Sequence, residues 1–137
     1  MKTAFDLDGI IYDLLRNSPV SAAITGGIYV RRNRPDDSDK EDIVINNTSL
    51  TQDSYPQNGS SNVNIYVKDE NRNIFSKEQM KENGDRLEEL TLMVLDTLMN
   101  ARIDNVGINV ENHAIIQEAS ANQHFSNIRI GCVLALI

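Results

Sequence analysis

The feature that most constrains the fold is one long segment with a helical pattern, Ser76 to Arg102 (SKEQMKENGDRLEELTLMVLDTLMNAR). Ser76 and Gln79 have the spacing of a capping box, and no proline interrupts the segment. We therefore predict one long helix over about residues 76–102. Its first half is mainly charged and is expected to face solvent. Its second half carries apolar side chains around most of the circumference: Leu90, Leu92, Met93, Val94, Leu95, Leu98 and Met99.

The apolar half of this segment needs contact on more than one side. A sheet and another helix would provide that contact, and so would a second subunit. The chain has 137 residues, of which 40% are apolar, and this suits one domain over residues 1–137 with a mainly aliphatic core.

Charge and cysteine content exclude several classes of function. The formal net charge is −7, so we expect no general attraction to anionic membranes and no specific binding of nucleic acid. Cys132 is the only cysteine, which excludes an internal disulfide framework and a zinc site with several cysteines. Its alternating apolar neighbours favour a thiol in the core over a nucleophile.

The N-terminal residues MKTAFDLDGII lack the continuous apolar region of a signal peptide. No apolar run approaches the length of a transmembrane helix. We therefore expect the protein to be made and used in a bacterial cytoplasm, without a membrane partner.

The first 30 residues predict a helical hairpin that leads into a strand. Asp6 or Asp8 can cap a first helix. Pro19 can begin a second, short helix, which Gly26-Gly27 ends. The strand is Ile28-Tyr29-Val30.

Later segments predict the remaining strands of the sheet. Apolar residues alternate or cluster over 43–50 and 63–67, more weakly over 106–110 and 113–118, and most clearly over 125–137. The order of helices and strands predicts an α+β fold, in which a largely antiparallel sheet packs against the long helix.

Two polar stretches separate these strands. In residues 31–42 (RRNRPDDSDKED) the arginines come first and the acidic residues follow. This stretch is either a solvated loop or a loop whose oppositely charged ends pair between neighbouring subunits. Residues 51–62 are rich in Ser, Asn, Gln, Pro and Gly, which predicts a long mobile connection.

One short motif carries a possible chemistry. Phe5-Asp6-Leu7-Asp8-Gly9 is similar to the first motif of the haloacid-dehalogenase phosphatases. That resemblance implies a nucleophilic Asp6 and an acid/base Asp8 beside a magnesium ion at the end of a buried strand. Residues 1–4 are too short and polar for such a strand, so helix capping is the competing interpretation. His113 and His124 lack metal-ligand spacing and are expected at the surface or at strand edges.

The segments IIYDLLRNSPVSAAITGGIYV, DIVIN and NVNIYV, together with the long helix, resemble the tail-completion and head–tail joining proteins of tailed bacteriophages and prophages. The resemblance covers about residues 8–102. It implies a tail-terminator-like structural protein that assembles as a ring, commonly a hexamer, at the end of the tail tube or at the head–tail junction. Its partners would be its own copies and other tail or connector proteins, and it would end in the virion.

Three hypotheses therefore stay open. The first is a virion assembly protein that is not an enzyme and has no catalytic, cofactor-binding or metal-binding residues. The second is a magnesium-dependent phosphohydrolase that uses Asp6 and Asp8. The third is a small module that binds another protein.

Overall fold

A computed structural model of the chain describes residues 1–136, in which helices pack on one face of a sheet. The α-helices are α1 (Ala4–Arg16), α2 (Val20–Ala23) and α3 (Gly84–Met99). The strands are β1 (Ile28–Val30), β2 (Asp42–Leu50), β3 (Gln57–Lys68), β4 (Glu70–Ile74), β5 (Lys77–Lys81), β6 (Val106–Glu118) and β7 (Gln123–Leu134). A short 3₁₀ helix at Ala119–Ala121 precedes β7. The predicted α+β class is confirmed.

The main sheet has five strands in the order β1-β2-β3-β7-β6. β1 runs parallel to β2, and the other neighbours are antiparallel, so the sheet is largely antiparallel as predicted. β4 and β5 form a separate two-stranded sheet. Within residues 1–136 no helix is long and apolar enough to cross a membrane.

The core lies between the helices and one face of this sheet. Alternate residues of each strand point to the same face, and residues three or four apart share one side of a helix. Burying each large aliphatic side chain contributes about 1.5–3 kcal/mol. The fully buried side chains at the centre are Leu7, Ile11, Leu15, Ile43, Ile45, Ile65, Leu90, Ile128, Ile130 and Leu134. Cys132 is also buried there, as its sequence context predicted.

The helical hairpin is present, but its first cap differs from the prediction. Thr3 is the N-cap of α1, and its amide donates a hydrogen bond of 2.7 Å to Oδ2 of Asp6. Asp6 thus completes a capping box from inside the helix, and Asp8 lies two residues further along the same helix. Pro19 occupies the N-cap position of α2, one residue before the helix begins.

The prediction of one helix over about 76–102 was wrong at its N-terminal end. Residues 77–81 form β5, which pairs with β4, and Ser76 lies in the turn between these strands. The helix begins at Gly84, where Oδ1 of Asn83 accepts a hydrogen bond of 3.3 Å from the Arg86 amide. Residues 77–83 have too few apolar side chains to hold a helix against the core, so cross-strand pairing competes successfully there.

The predicted mobile connection over 51–62 ends earlier than expected, because β3 begins at Gln57. The amide of Gln57 is buried, and its Nε2 donates to the carbonyl oxygens of Lys2 (2.8 Å) and Thr51 (2.6 Å). Its Oε1 accepts from the Lys2 amide at 2.7 Å. A polar side chain thus fixes the start of a strand where composition indicated a loop.

The two weak strand candidates at 106–110 and 113–118 are one strand, β6, with an irregularity between Val110 and Asn112. Val110 pairs with Ile130, whereas His113 pairs with Ile128. Glu111 is an extra residue in β6. The even-numbered positions before it face the helices, and the odd-numbered positions after it do so. This shift places His113 and Ile115 beside α3.

Candidate interaction surface

The structure gives Asp6 and Asp8 separate partners. Asp6 is exposed in the cap of α1, where the hydrogen bond from the Thr3 amide lowers its pKa. Asp8 is only 1% exposed and accepts hydrogen bonds from Arg31 (2.6 Å) and from the side chain of Asn47 (2.8 Å). Both residues lie within a helix, away from the strand end that the phosphatase motif implies. Across residues 1–136 no three His, Cys, Asp or Glu side chains are grouped to hold a metal ion.

The two histidines contact buried polar groups. His124 Nδ1 lies 2.7 Å from Oδ1 of Asp69. His113 Nε2 hydrogen-bonds to Oγ of Ser126, which also accepts from Thr91 Oγ1 at 2.9 Å. A serine beside a histidine can act as a nucleophile, but Ser126 is fully buried. The hydrogen bonds through Ser126 therefore join α3 to the sheet. The spacing of the two histidines in the sequence did not indicate these contacts.

The charged loop between β1 and β2 pairs largely within the chain. Arg34 Nε lies 2.8 Å from Asp42, and Arg86 binds Glu41 through two hydrogen bonds of 2.7 and 2.8 Å. Burial acts to raise the pKa of Asp42, but hydrogen bonds from Ser38 and Arg34 outweigh it and lower that pKa. These contacts lie within one copy, and the alternative in which the ends of this loop pair between subunits stays a prediction.

The β4–β5 hairpin, residues 70–81, has little contact with the remainder of the chain, and we call it the arm. Its main contacts are between its own two strands, and none of its residues is buried. Phe75 at its tip is 97% exposed. An isolated two-stranded hairpin is marginally stable in water. The arm therefore lacks, within one copy, the packing that would normally hold such a hairpin.

The turn at the tip of the arm has an unusual sequence for its geometry. Phe75 and Ser76 have φ angles of 50° and 63°, which is the left-handed region at both central positions of the turn. Such turns favour Asn-Gly because side chains with a branched or bulky Cβ substituent are strained there. Each such residue costs about 1–3 kcal/mol, and strain of this kind is concentrated at binding sites.

A groove of about 520 Å³ lies between α3 and β6. Leu92, Leu95 and Ile115 form its apolar part, and Leu92 and Ile115 are 58% and 57% exposed. Helix α3 thus buries one side against the core and leaves apolar side chains on another, as its sequence indicated. The exposed carboxylates of Glu82, Asp85 and Glu88 line the same groove and give it an acidic rim.

The groove is bordered by an unpaired sheet edge. β6 hydrogen-bonds to β7 on one side only and lies last in the strand order, so its 13 residues present main-chain groups at the edge. The arm, the groove and this edge are three candidate docking surfaces.

Comparison with known proteins adds no further constraint. A scan against models of protein families found none that matches the chain, and a search of curated proteins found no match.

Proposed function

We propose that this chain is a structural assembly subunit that is not an enzyme and that binds further copies of itself in a closed ring. The observation that carries this proposal is the arm, a hairpin without buried residues that presents Phe75 to solvent. A protein gains stability when such an element packs against a partner, since an exposed hairpin and an exposed aromatic ring are both poorly stabilised alone.

The arm and the groove are different surfaces of one chain. A contact between unlike surfaces repeats from copy to copy, and it closes into a ring when the rotation between copies permits closure. In a two-fold pair each arm would enter the groove of the other copy, so the choice of a ring rests on the resemblance to tail-completion proteins.

The phage setting of this proposal rests on the resemblance of residues 8–102 to tail-completion and head–tail joining proteins. The observed order is a helix pair, strands β1 to β3, the arm strands β4 and β5, and then α3; apart from the arm, this is the order that the resemblance implies. In this setting the ring lies at the end of the tail tube or between connector and tail, and binds tail or connector proteins. The subunit would be made in the cytoplasm of the bacterial host and end in the virion.

Self-assembly is tested by measuring the mass of the purified protein in solution. We expect a defined multiple of 15.4 kDa by native mass spectrometry and light scattering, and closed rings by negative-stain electron microscopy. Replacing residues 70–81 with a short turn should give a folded monomer, shown by an unchanged circular dichroism spectrum apart from the lost strands. A full-length chain that stays monomeric at every concentration reached would contradict self-assembly.

The phage setting has a separate test in the neighbouring genes. We expect genes for portal, capsid or tape-measure proteins beside this one. A ring-forming protein encoded far from such genes would keep the assembly proposal and contradict its virion role.

A further inference from the structure

We infer that Phe75 of one copy inserts into the groove between α3 and β6 of the next copy. This inference rests on the proposed self-assembly and names the contact that holds neighbouring subunits together. It assigns the exposed tip of the arm and the exposed apolar part of the groove to each other.

The apolar match is the first support. Phe75 is almost wholly exposed, and the groove offers Leu92, Leu95 and Ile115 as apolar walls. A phenylalanine side chain brings about 150–250 Å² of surface into a contact, and aromatic side chains seated in apolar pockets are the usual centres of protein interfaces. The groove volume of about 520 Å³ is within the range that accepts such a group.

Charge supports the same pairing. The arm carries three basic residues (Arg72, Lys77, Lys81) and two acidic ones (Glu70, Glu78), which gives a net charge of +1 on a chain whose total is −7. Lys77 directly follows the two turn residues. The rim of the groove is acidic through Glu82, Asp85 and Glu88. Lys77 beside this acidic rim favours one orientation of the contact.

The contact must form between copies. Glu82 and Gly84 line the groove and come directly after β5, so the groove lies at the base of the arm of its own chain. The tip lies at the other end of strands of five residues, which span about 16 Å at 3.3 Å per residue. Phe75 is 97% exposed and therefore does not occupy its own groove.

Substitutions on both sides of the contact test the inference. We expect Phe75→Ala and Leu92→Asp each to weaken association by about 30-fold or more, the loss typical of an interface centre. Both side chains are exposed in one copy, so the melting temperature of the monomer should change little. Ser76→Gly is the matched control at the tip, because it relaxes the turn, retains Phe75 and should leave assembly intact.

Exchanging the charges across the contact tests the inference by the recovery of assembly. Lys77→Glu should weaken assembly, and combining it with Asp85→Lys and Glu88→Lys should restore it. Proximity is tested by mixing Ser76→Cys and Glu88→Cys proteins with a short bismaleimide, which should link unlike copies. The matched control replaces Glu88→Cys with Asp13→Cys, at an exposed site on α1, and should give no such product.

The possible outcomes separate this inference from the proposed function. If the wild type forms rings and Phe75→Ala and Leu92→Asp assemble with unchanged affinity, the contact lies elsewhere and this inference is wrong, while self-assembly stands. If the wild type is a monomer throughout, both fail. A stable pair of copies that depends on Phe75 and Leu92 would support this contact and contradict the ring.

Discussion

The carboxylate of Asp8 lies 2.6 Å from Nη1 of Arg31 and so joins the buried side of α1 to the residue that follows β1. Oδ1 of Asp8 also accepts a hydrogen bond of 3.2 Å from the Asn47 amide in β2. One buried side chain thus holds a helix to two strands. The glycine and aspartates that resemble a phosphatase motif are, in this fold, parts of a helix and its attachment to the sheet.

Removing this carboxylate should destabilise the protein. We expect Asp8→Ala to lower the free energy of unfolding by about 2–3 kcal/mol, because the half-buried amide groups of Asn47 lose a buried acceptor while Arg31 can still reach water. Urea unfolding followed by circular dichroism measures this loss. Asp13→Ala is the control, since its carboxylate is exposed in the same helix, and it should change the value by less than about 0.5 kcal/mol. Equal effects of the two substitutions would contradict this role of Asp8.

Glu41 should make stability depend on pH in the acid range. The hydrogen bonds from Arg86 lower the pKa of Glu41 below its ordinary 4.5. Above pH 4.5 the pair contributes fully, and the contribution is lost as the pH falls through the lowered pKa, because the unfolded state then binds the proton first. Unfolding free energies measured by urea titration should therefore fall on acidification, and less steeply for Glu41→Gln. The exposed Asp37→Asn protein should retain the wild-type slope; a slope unchanged in Glu41→Gln would refute the assignment.

Replacing each of two glycines with alanine should change the stability of the protein in opposite directions. Gly9 lies in α1 with no atom within 4 Å of an added Cβ, so Gly9→Ala should stabilise the protein by about 1 kcal/mol. At Gly26 an added Cβ would overlap the Asp42 carboxylate and lie 2.6 Å from the Glu41 carbonyl oxygen. Gly26→Ala should therefore cost about 2–3 kcal/mol. Thermal unfolding of the two variants checks the signs, and a stabilised Gly26→Ala protein would show that the α2–β1 connection can move.

The thiol of Cys132 should be unreactive in the folded protein. Burial raises its pKa to about 11, with a smaller effect from the charge of Glu111. A rise of two pKa units lowers the thiolate fraction near pH 8 by about 100-fold, and burial also restricts access. Reaction with a chromogenic disulfide reagent should be slow in buffer and fast in urea. The Ser76→Cys protein supplies an exposed thiol for comparison; a folded Cys132 that reacts as fast as that one would contradict its burial.

The sequence predicted the elements whose apolar pattern is long and regular. β7 alternates cleanly, and α1 and the second half of α3 have apolar residues at helical spacing, so the buried face of each element follows from local pattern. The arm was missed because Ser76 and Gln79 imitate a capping box, and the true cap is Asn83. Residues 76–83 have few apolar side chains, so their pattern does not distinguish a charged helix from an exposed hairpin.

The candidate site could not be derived from local pattern. The groove exists because β6 lies at the edge beside β7, and strand order is set by contacts distant in sequence. The irregularity at Glu111 also changes which residues of β6 face α3, and it divided one strand into two weak candidates. The excess of apolar residues in α3 was visible in the sequence, and the structure shows that Leu92 and Met99 are the members left exposed.

The two edges of the main sheet differ greatly in length, since β1 has three residues and β6 has 13. Fibrils that grow by adding strands need a long pairable edge on both sides of every molecule. A copy that pairs its own β6 with this β6 would present only the three residues of its β1 to the next copy. Such growth would stop after few additions, so the asymmetry of the sheet protects the free subunit from polymerising into fibres at high concentration.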